Sequence, residues 1–598
     1  MENKICKQCG VNFTVTDEDL AFLEKVSPEF NGKKYLIPAP KDCPECRAQR
    51  RFAFRNVRNV YRREVDLNGE IKPVISVYSP NNKHQVIHED EYLSDGFEVM
   101  KYGREFDFSR PFFPQLQELH LAVPKAHAIS DGTNENAEFI NAANHIHNAY
   151  LVFSAMYCEN VYYSDAIWKS NNCLDCLSVT GCEGCYECLD CADLYRSFYC
   201  QDCTNSRELM FGRNLQSCQN CFGCVGLRNK QYFVFNEARS KDEYEIFIKE
   251  LNLTTARVNE YRDRLIKLYQ SLPVKFAKQI NVENSTGENL TNCKNCQDCF
   301  DINEGENLKF CRNLNGGNRN CQDICNFGTN IEWCYQASSV GRNVNHILFT
   351  VMCAYESNDI FYSMNCLNSN HDLFGCVGLK HKQYCVLNKQ YSKEEYEKLV
   401  TRIIEHMQQS GEWGEFFPYD MSPFAYNESA AQENFPLSKT EAARLGADWQ
   451  DADFGLKYEG PFYEVRDIKE YDPTFATALV GKAKENIEEL LKGVIRCEVS
   501  GKPFRVISQE VAFCIDNGLP IPTKHPAVRH QERFARKQPR KLYHRQCMCE
   551  GKVSSFKFQG SSGGCEHEVR CPNEFETTYS PDREEKVYCE NCYQKSIL

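Results

Sequence analysis

The sequence lacks any apolar run that approaches the length needed to span a membrane, about 18 residues. Its first residues, MENKICKQCGV, contain no apolar segment of the kind found in secretory signals. Tryptophan is scarce, with four residues in 598, and 70 basic residues stand against 83 acidic ones. The net charge of −13 argues against a surface that is basic throughout, although local basic patches remain compatible with it. We therefore expect a cytoplasmic protein without a membrane segment.

Cysteine is the residue in excess, with 35 in the chain. In a reducing compartment, so many thiols are more often metal ligands or small buried apolar groups than disulfides. The other composition values, 42% hydrophobic and 26% charged residues, are ordinary for a folded protein. The length predicts several domains, or fewer if part of the chain is a repeat array.

One short module occurs near both ends of the chain. Residues 6–22 read CKQCGVNFTVTDEDLAF, and residues 497–513 read CEVSGKPFRVISQEVAF, with matching Cys, Gly, Phe and Val positions. The later stretch CPECRAQRRFA likewise matches HPAVRHQERFA in the second copy. Because so many ordered identities indicate a duplication, we predict a zinc-binding treble-clef module at 1–64 and a degenerate copy of it at 496–546.

The middle of the chain is a tandem duplication. FGCVGLRNKQYFVFNEARSKDEYE, which begins at residue 222, matches FGCVGLKHKQYCVLNKQYSKEEYE, which begins at residue 374. Each copy contains a serine followed three residues later by a glutamate, the capping box that starts a helix. We predict two cysteine-rich halves, each with a terminal helix, at 140–275 and 285–410.

A shorter repeat is nested in the first half, where cysteines recur at steps of 18 residues. The recurring residues are Cys182, Cys185, Cys200, Cys203, Cys218 and Cys221. A fixed short period indicates stacked units. Eighteen residues suit one coil of a β-solenoid with three sides, in which like residues form ladders. The second half keeps this period poorly.

The predicted fold class is therefore mixed and β-rich. Two duplicated cysteine-rich β-solenoid halves carry capping helices, and treble-clef or zinc-ribbon modules flank them at both ends. The segments 65–139 and 411–495 are expected to be α/β connectors, because they mix aromatic, Pro-rich and amphipathic stretches. The last segment, 547–598, is predicted to be a zinc ribbon.

The N-terminal module contains two Cys-x-x-Cys pairs separated by a folded insert. Its cysteines are Cys6, Cys9, Cys43 and Cys46. Two such pairs are the usual source of four tetrahedral thiolates for a structural zinc ion. A module of this size also needs a staple, since its own core is small. We therefore predict a zinc site here.

Only Cys497 and His525 keep metal-ligand chemistry in the second copy, where Ser500 and Val528 replace the other two cysteines. Two ligands cannot close a structural zinc site. We expect this copy to fold without metal, through packing of apolar residues such as Phe504.

The C-terminal segment carries a second group of potential ligands. They are Cys547, Cys549, Cys571, Cys589 and Cys592, with Cys565 and His567 in reserve. NEFETTYSPDREEKVYC reads as two strands around a turn. A knuckle after the second strand is typical of a zinc ribbon, but the spacing does not choose which two earlier cysteines complete the site. Zinc is thus the predicted cofactor, at about two structural sites.

The cysteines of the middle have two interpretations. Adjacent turns, such as Cys182 and Cys185 above Cys200 and Cys203, could supply four sulfurs to additional metal ions. Alternatively, a ladder of buried thiols fills a narrow interior, which explains the period unaided. No spacing in the sequence matches a known iron–sulfur pattern.

Two stripes of basic residues reverse the sign of the acidic chain. The proposed contacts are Arg47, Arg51, Arg55, Arg58, Arg62, Arg529, Arg533, Lys537 and Arg540. The first five would share one face of a single helix. Zinc modules with basic helices commonly hold phosphate backbones, so RNA or DNA is a candidate partner. The alternative is intramolecular pairing with the acidic remainder of the chain.

Three classes of function follow from these features. The first is a non-enzymatic zinc-binding scaffold that contacts nucleic acid or a ribonucleoprotein through its arginine-rich helices. The second is a β-solenoid for protein interaction or self-assembly. The third is a thiol redox or iron–sulfur protein, for which the sequence offers no recognisable catalytic setting. We identify no catalytic residues.

Several motifs together carry a resemblance. They are CPECRAQRRFAFRNV, YGREFDFSRPFF, NCFGCVGLRNKQY, SPFAYNESAAQENFP, SGKPFRV and CPNEFETTYSPDREEKVYCENCYQ. In these the chain resembles a family of long, cysteine-rich hypothetical proteins with zinc ribbons from candidate-phyla-radiation (Patescibacteria) bacteria. The resemblance covers nearly the whole chain. It implies a bacterial cytoplasmic protein and provides no catalytic residues.

Overall fold

The computed structural model describes residues 1–67, 69–128, 133–324, 328, 331–339, 341, 344–353, 355–472, 480–551, 567 and 569–597. It is a mixed architecture with many strands and with cysteine clusters near both ends. Within these ranges, no helix combines the length and the apolar character needed to cross a bilayer.

Two related modules each contain a short antiparallel hairpin followed by two helices, and the N-terminal module has a further short hairpin between its helices. The N-terminal module, residues 1–54, contains β1 (Glu2–Ile5), β2 (Asn12–Val15), α1 (Asp17–Val26), β3 (Glu29–Phe30), β4 (Lys33–Lys34) and α2 (Pro44–Ala53). β1 and β2 pair in antiparallel orientation. α2 begins at Pro44, directly after its N-cap residue, Cys43. Proline suits this position because the first N–H of a helix has no intrahelical partner.

A first connector follows the N-terminal module. Its elements are β5 (Tyr61–Leu67), β6 (Glu70–Ser76), β7 (Val86–Ile87), α3 (Glu89–Leu93), α4 (Phe112–Ala122) and β8 (Lys125–Ala126). The expected single helix through the first basic stripe is therefore wrong, because α2 ends at Ala53 and Arg62 lies in β5. Arg55, Arg58 and Arg62 share no helix face with Arg47.

The first parallel stack, residues 135–234, consists of parallel strands, one of which pairs with two later strands, through Phe153 with Asp165 and through Glu159 with Asn171. They are β9 (Glu135–Glu138), β10 (Asn141–Tyr150), β11 (Phe153–Tyr162), β12 (Asp165–Trp168), β13 (Asn171–Leu174), β14 (Leu177–Thr180), β15 (Leu189–Tyr195), β16 (Thr204–Met210), β17 (Gln219–Phe222) and β18 (Gln231–Val234). Partners lie twelve residues apart, as in Ala143 with Ala155 and Gln219 with Gln231. The register therefore corrects the expected coil of eighteen residues.

A three-residue unit explains why the cysteines still recur at steps of eighteen. Every third residue from Asn136 to Phe235 has a positive φ, and every third residue from Ala143 to Leu227 is buried inside the stack. Twelve and eighteen are both multiples of three, so a residue eighteen positions on also faces inward. Asparagine suits the left-handed positions, and neighbouring asparagines such as Asn136 and Asn148 form side-chain hydrogen bonds of 2.8 Å.

The interior of the first stack is narrow and accepts only small or aliphatic side chains. Its inward positions hold Ala, Val, Ile, Leu, Ser, Cys and Gly. A Cβ added at Gly212 would lie 2.9 Å from a methyl carbon of Leu215 and 3.3 Å from Cys200 Sγ. Contacts this short leave no room for a larger residue, which accounts for the abundance of cysteine.

Inward serine and cysteine side chains also connect successive turns of the chain. Ser164 Oγ donates to the Tyr162 carbonyl at 2.9 Å and accepts the Cys176 N–H at 3.0 Å. Cys224 Sγ does the same more weakly, donating to the Phe222 carbonyl and accepting the Asn236 N–H at 3.4 Å. These side chains thus pair buried backbone groups that would otherwise cost free energy.

A second parallel stack, residues 279–386, has a different spacing. Its strands are β21 (Gln279–Glu283), β22 (Gly287–Lys294), β23 (Cys299–Lys309), β24 (Arg312–Gln322), β25 (Asn345–Leu348), β26 (Asn358–Phe361), β27 (His371–Phe374) and β28 (Gln383–Val386). Asn345 pairs with Asn358, and Asn358 pairs in turn with His371, so these partners are thirteen residues apart. Other partners in this stack are eleven or twelve residues apart, such as Gln279 with Leu290 and His371 with Gln383. The turns of thirteen add one residue to the three-residue pattern, so the sequence period is poorly kept there.

Both stacks end in a short antiparallel strand and a helix, as the sequence predicted. The strands are β19 (Glu237–Ala238) after β18 and β29 (Lys389–Gln390) after β28, and the helices are α5 (Lys241–Lys249), α6 (Thr255–Ser271) and α7 (Lys393–Ser410). The capping boxes at Ser240 and Ser392 are confirmed, since each serine oxygen accepts the N–H of the glutamate three residues on. Between α6 and the second stack lies β20 (Pro273–Lys275).

The remaining elements complete the chain. They are α8 (Ala430–Asn434), α9 (Lys439–Arg444), α10 (Val480–Lys492), β30 (Ile495–Arg496), β31 (Pro503–Phe504), α11 (Ser508–Asp516), α12 (Pro526–Ala535), β32 (Tyr543–Gln546), β33 (Glu574–Thr577), β34 (Lys586–Tyr588) and α13 (Glu590–Ile597). The second module, residues 495–535, runs from β30 to α12. In the C-terminal segment, β33 pairs with β32, and β34 pairs with β20. The two strands expected around a turn, β33 and β34, are therefore confirmed, although each pairs with a strand elsewhere in the chain.

Candidate metal centres and module contacts

Four cysteine sulfurs converge in the N-terminal module. Cys6 directly follows β1, Cys9 lies in the turn before β2, Cys43 caps α2 and Cys46 lies in its first turn. All four sulfurs lie within 4.8 Å of one another, and Cys9 Sγ is 3.8 Å from Cys43 Sγ. The two Cys-x-x-Cys pairs thus form one set that could hold a metal ion, as the sequence predicted.

Backbone hydrogen bonds orient the cysteines of this set. The Cys43 N–H donates to Cys6 Sγ at 3.3 Å. The Gly10 N–H donates to the Cys6 carbonyl at 2.9 Å, and the φ of +75° at Gly10 is one that favours glycine. These contacts turn the first pair towards the start of α2, where N–H groups and the helix dipole favour thiolate.

The thiols of the N-terminal set oppose one another's ionisation. A hydrogen bond with Cys46 lowers the pKa of Cys43 to about 5, and the same contact raises the pKa of Cys46. All four can become thiolates together only if a cation balances their charge. Cys6, Cys43 and Cys46 are buried and Cys9 is exposed, and four cysteine thiolates are a donor set that zinc prefers.

At the equivalent positions of the second module, the side chains accept hydrogen bonds from the backbone. Cys497 is buried, and its sulfur accepts the Ser500 N–H at 3.4 Å. His525 replaces Cys43 as the N-cap, and its Nδ1 accepts the Ala527 N–H at 3.1 Å. Both residues therefore support local backbone geometry.

A second four-cysteine set lies in the C-terminal segment. It comprises Cys547, Cys571, Cys589 and Cys592, all buried, with sulfurs within 4.8 Å of one another. Cys571 Sγ lies 3.9 Å from Cys589 Sγ, and the Cys589 N–H donates to Cys547 Sγ at 3.2 Å. Burial raises the pKa of Cys547 to about 12, so this site too favours thiolates only beside a cation.

The structure resolves a choice that the spacing left open. Cys547 and Cys571 join the final pair, whereas Cys549 converges with His567 and Cys592 in an overlapping set. His567 Nε2 lies 3.3 Å from Cys592 Sγ. Because Cys592 belongs to both sets, the two arrangements compete for one ion. Cys565 lies outside the described residues.

The interior cysteines behave differently from the terminal ones. Those considered for additional metal were Cys182, Cys185, Cys200, Cys203, Cys218 and Cys221, and each is buried. Among the described residues, the groups of three or more potential ligands within 4.8 Å are the terminal ones, and these six form no such group. Their thiols donate instead to carbonyls two residues earlier, as Cys203 does to Gln201 at 3.3 Å.

The basic residues of α2 face inward rather than towards solvent. Arg47 lies 2.8 Å from one carboxylate oxygen of Asp323 and Arg51 lies 3.3 Å from the other. The three side chains are 0–3% exposed. The prediction that Arg47 and Arg51 contact nucleic acid is therefore wrong, because no phosphate can reach them. Arg55, which follows the helix, lines a cavity.

The same arrangement recurs at the second module. Arg529 and Arg533 of α12 contact the two carboxylate oxygens of Asp175, the latter at 2.7 Å. Glu510 lies 2.7 Å from Arg529 as well. These side chains are also almost fully buried, so the nucleic-acid prediction is wrong for Arg529 and Arg533. The alternative of intramolecular pairing holds at both modules.

The other predicted basic contacts are also largely internal. The pairs are Arg58 with Asp165 at 3.0 Å, Lys537 with Asp190 at 3.1 Å and Arg540 with Asp301 at 2.8 Å. Arg62 is the exception, since it is exposed on β5 and lies 5.1 Å from the Phe139 ring centre. A continuous basic surface is thus absent from this part of the described chain.

Sequence reasoning missed Asp175 and Asp323, the two residues that receive the arginines. Each has a positive φ, is fully buried and follows an inward cysteine by two positions. The two copies are 152 residues apart at Phe222 and Phe374 but 148 apart at these aspartates. The thirteen-residue register of the second stack accounts for the shift, which a fixed-offset alignment does not detect.

Comparison with known proteins assigns the chain to no family. No protein-family model and no curated protein matches the chain. One solved structure, described as an acetyltransferase from Desulfovibrio desulfuricans G20, is similar over 42% of this chain at 9% identity. The match spans 65% of that protein, just under two thirds of its length, and its TM-score is 0.10. A score this low carries no argument about fold or function.

Proposed function

We propose that this protein is a non-enzymatic scaffold in which two related modules, the first of them stapled by zinc, dock on two β-solenoids, and in which zinc also staples the segment after the second module. The N-terminal module would be a treble clef, and each solenoid would coil once per twelve or thirteen residues. The observation that carries the proposal is the repeated contact between modules and stacks. Each module places two arginines on one buried aspartate of a stack.

Buried ion pairs of this kind favour positional specificity. Two arginines and one aspartate can satisfy one another only when the helix lies in one place and orientation. Because α2 also carries two of the four cysteines, metal binding would order the helix that docks on the second stack. The zinc would therefore act on the assembly of the two stacks rather than on a substrate.

Hydrogen exchange of the full chain tests the stapling. Addition of a zinc chelator is expected to raise amide exchange in residues 1–54 and in residues 543–551 and 569–597. The second module provides the internal control, and its exchange should stay unchanged. Uniform protection with and without chelator would contradict the proposal.

Deletions test the coil length. Removal of residues 204–215, one turn of twelve, should leave the first stack able to fold because the flanking strands still align. Removal of residues 204–221, eighteen residues, should move the flanking strands out of register by half a turn and abolish cooperative unfolding. If the longer deletion is the one tolerated, the twelve-residue coil is wrong.

A further inference from the structure

A cavity of about 500 Å³ lies where the two parallel stacks meet the first connector. Met156 and Trp168 line it from the first stack, Val351 and Met364 from the second, and Lys125 from β8 of the connector. A partly enclosed space of this size with a mainly apolar lining is typical of small-molecule sites. The scaffold role described above does not use it.

The polar part of the lining has one sign of charge. Lys125 and Arg55 both line the cavity, and the described lining residues include no aspartate or glutamate. Elsewhere in the protein, buried cations are matched by buried acids, as Arg47 is by Asp323. The described residues that line the cavity thus offer no carboxylate to the amine of Lys125.

Lys125 is held in place by its backbone while its amine is left without a contact. The Lys125 N–H donates to the Gln85 carbonyl at 2.9 Å. The residue is 2% exposed, and among the described residues no hydrogen-bond partner reaches Nζ. Burial lowers the pKa of this amine to about 7. A buried amine in this condition costs free energy, which an acceptor from a ligand would recover.

The neighbouring histidines do not balance the amine. The His120 ring lines the cavity and lies 4.7 Å from the His84 ring, centre to centre. Burial lowers the pKa of His84 to about 3 and that of His120 well below its usual value. Both rings are therefore neutral near pH 7, so neither adds charge or supplies a counter-ion.

We propose that this cavity binds a small, mainly apolar monocarboxylate. Its carboxylate pairs with the Lys125 amine, and its apolar part fills the space between Trp168 and Met364. A charge-assisted hydrogen bond in such a low-dielectric site is stronger than one in water, and it selects acids over alcohols and amines. A neutral apolar molecule and a cation are the competing occupants.

Calorimetry on the full chain with three eight-carbon probes distinguishes these occupants. Octanoate is expected to bind once per chain, about tenfold or more tighter than octan-1-ol or octylamine. Lys125→Met should remove that advantage while leaving octan-1-ol binding unchanged. Lys83→Met is the matched control, because Lys83 is more exposed and pairs with Asp448 outside the cavity.

Amine footprinting of the unmodified protein keeps the test valid if Lys125→Met fails to fold. Octanoate should slow acetylation at Lys125 by about tenfold, as measured by mass spectrometry of the peptides, and leave Lys83 unaffected. Equal affinity for octanoate and octan-1-ol, tighter binding of octylamine, or unchanged acetylation at Lys125 would each overturn the proposal.

Discussion

The N-terminal module and the second module share a hairpin, two helices and one way of docking, but they differ around the four ligand positions. Around the cysteines of the first, the apolar cluster contains Cys6, Cys43 and Cys46 with Phe13 packed against them. The second packs Phe504, and with it Val506, Val511, Leu519 and Ile521, into a large core shared with the first stack. Leu23, Val26 and Phe30 of the first module likewise join a core shared with the second stack. The two copies therefore differ in the four thiols that the first has in addition to its apolar packing.

This comparison distinguishes the interactions that stabilise a module from the arginine–aspartate contact by which the module docks on a stack. Both modules keep the arginine pair, and each pair contacts an aspartate of a stack. The four cysteine positions of the first module are not all kept in the second. Docking is therefore the property that the copies share. We propose that metal binding stabilises the first module for docking, whereas apolar packing stabilises the second.

The largest expected effect distinguishes the two interiors. Cys46→Ser should remove the metal from the N-terminal module and unfold it locally, because a structural zinc supplies about 10 kcal/mol of binding free energy. The matched change Cys497→Ser should cost about 1 kcal/mol, since a serine oxygen can still accept the Ser500 N–H. Hydrogen exchange of each module measures both effects. Similar losses in the two variants would break the comparison.

A smaller effect is expected where the modules dock. Asp323→Asn should destabilise the chain by about 3–5 kcal/mol, because it leaves two arginine charges buried at the second stack. Asp175→Asn should cost less, since Glu510 still contacts Arg529. The residue aligned with Glu510 is Asp19, which pairs with Lys309 at 2.7 Å instead.

Denaturant unfolding of the two docking variants supplies the comparison. The variant at Asp323 should have the lower midpoint, with the double variant close to the sum of the two losses because the sites are separate. Equal midpoints would show that Glu510 does not share in holding Arg529.

Interior cysteines should tolerate a change that ligand cysteines do not. Cys224→Ser keeps both a donor for the Phe222 carbonyl and an acceptor for the Asn236 N–H, so it should cost within about 1 kcal/mol. Cys224→Ala loses both contacts and should cost about 1–3 kcal/mol. Thermal unfolding gives both values. A loss of metal from Cys224→Ser would show that the interior thiols are ligands after all.

The smallest effect concerns the helix cap that differs between the modules. Burial lowers the pKa of His525, so the unfolded chain binds a proton more readily than the folded one. Stability of the second module should therefore fall as the pH drops below about 6.5, by up to about 1 kcal/mol. His525→Asn keeps a cap but does not titrate. Protection factors of residues 525–535, which correct for the pH dependence of intrinsic amide exchange, should differ between pH 7 and pH 5 in the parent and agree in this variant.

Much of the organisation could be predicted from the sequence. The paired Cys6–Cys9 and Cys43–Cys46 spacing identified the first cluster because short spacing fixes local geometry. The capping boxes at Ser240 and Ser392 are likewise local signals, and the structure confirms both. The terminal duplication was visible because identities stay in order.

The remainder depended on contacts that sequence spacing does not encode. The coil length was misjudged because cysteine sits only at some inward positions, so its pattern repeats at a multiple of three that is not the pairing distance. The arginines of α2 were assigned to solvent because their acceptor, Asp323, lies far along the chain. The choice of Cys547 over Cys549 required the folded positions of residues 543–551 and 569–592.

The metal content of the purified full chain tests the central claim most directly. Elemental analysis should find two zinc ions per chain, one in Cys46→Ser and one in Cys592→Ser, with Cys497→Ser unchanged at two. Absence of zinc, or a content that neither ligand variant lowers, would contradict the account. A content well above two would place metal among the interior cysteines, where this account expects hydrogen bonds and packing.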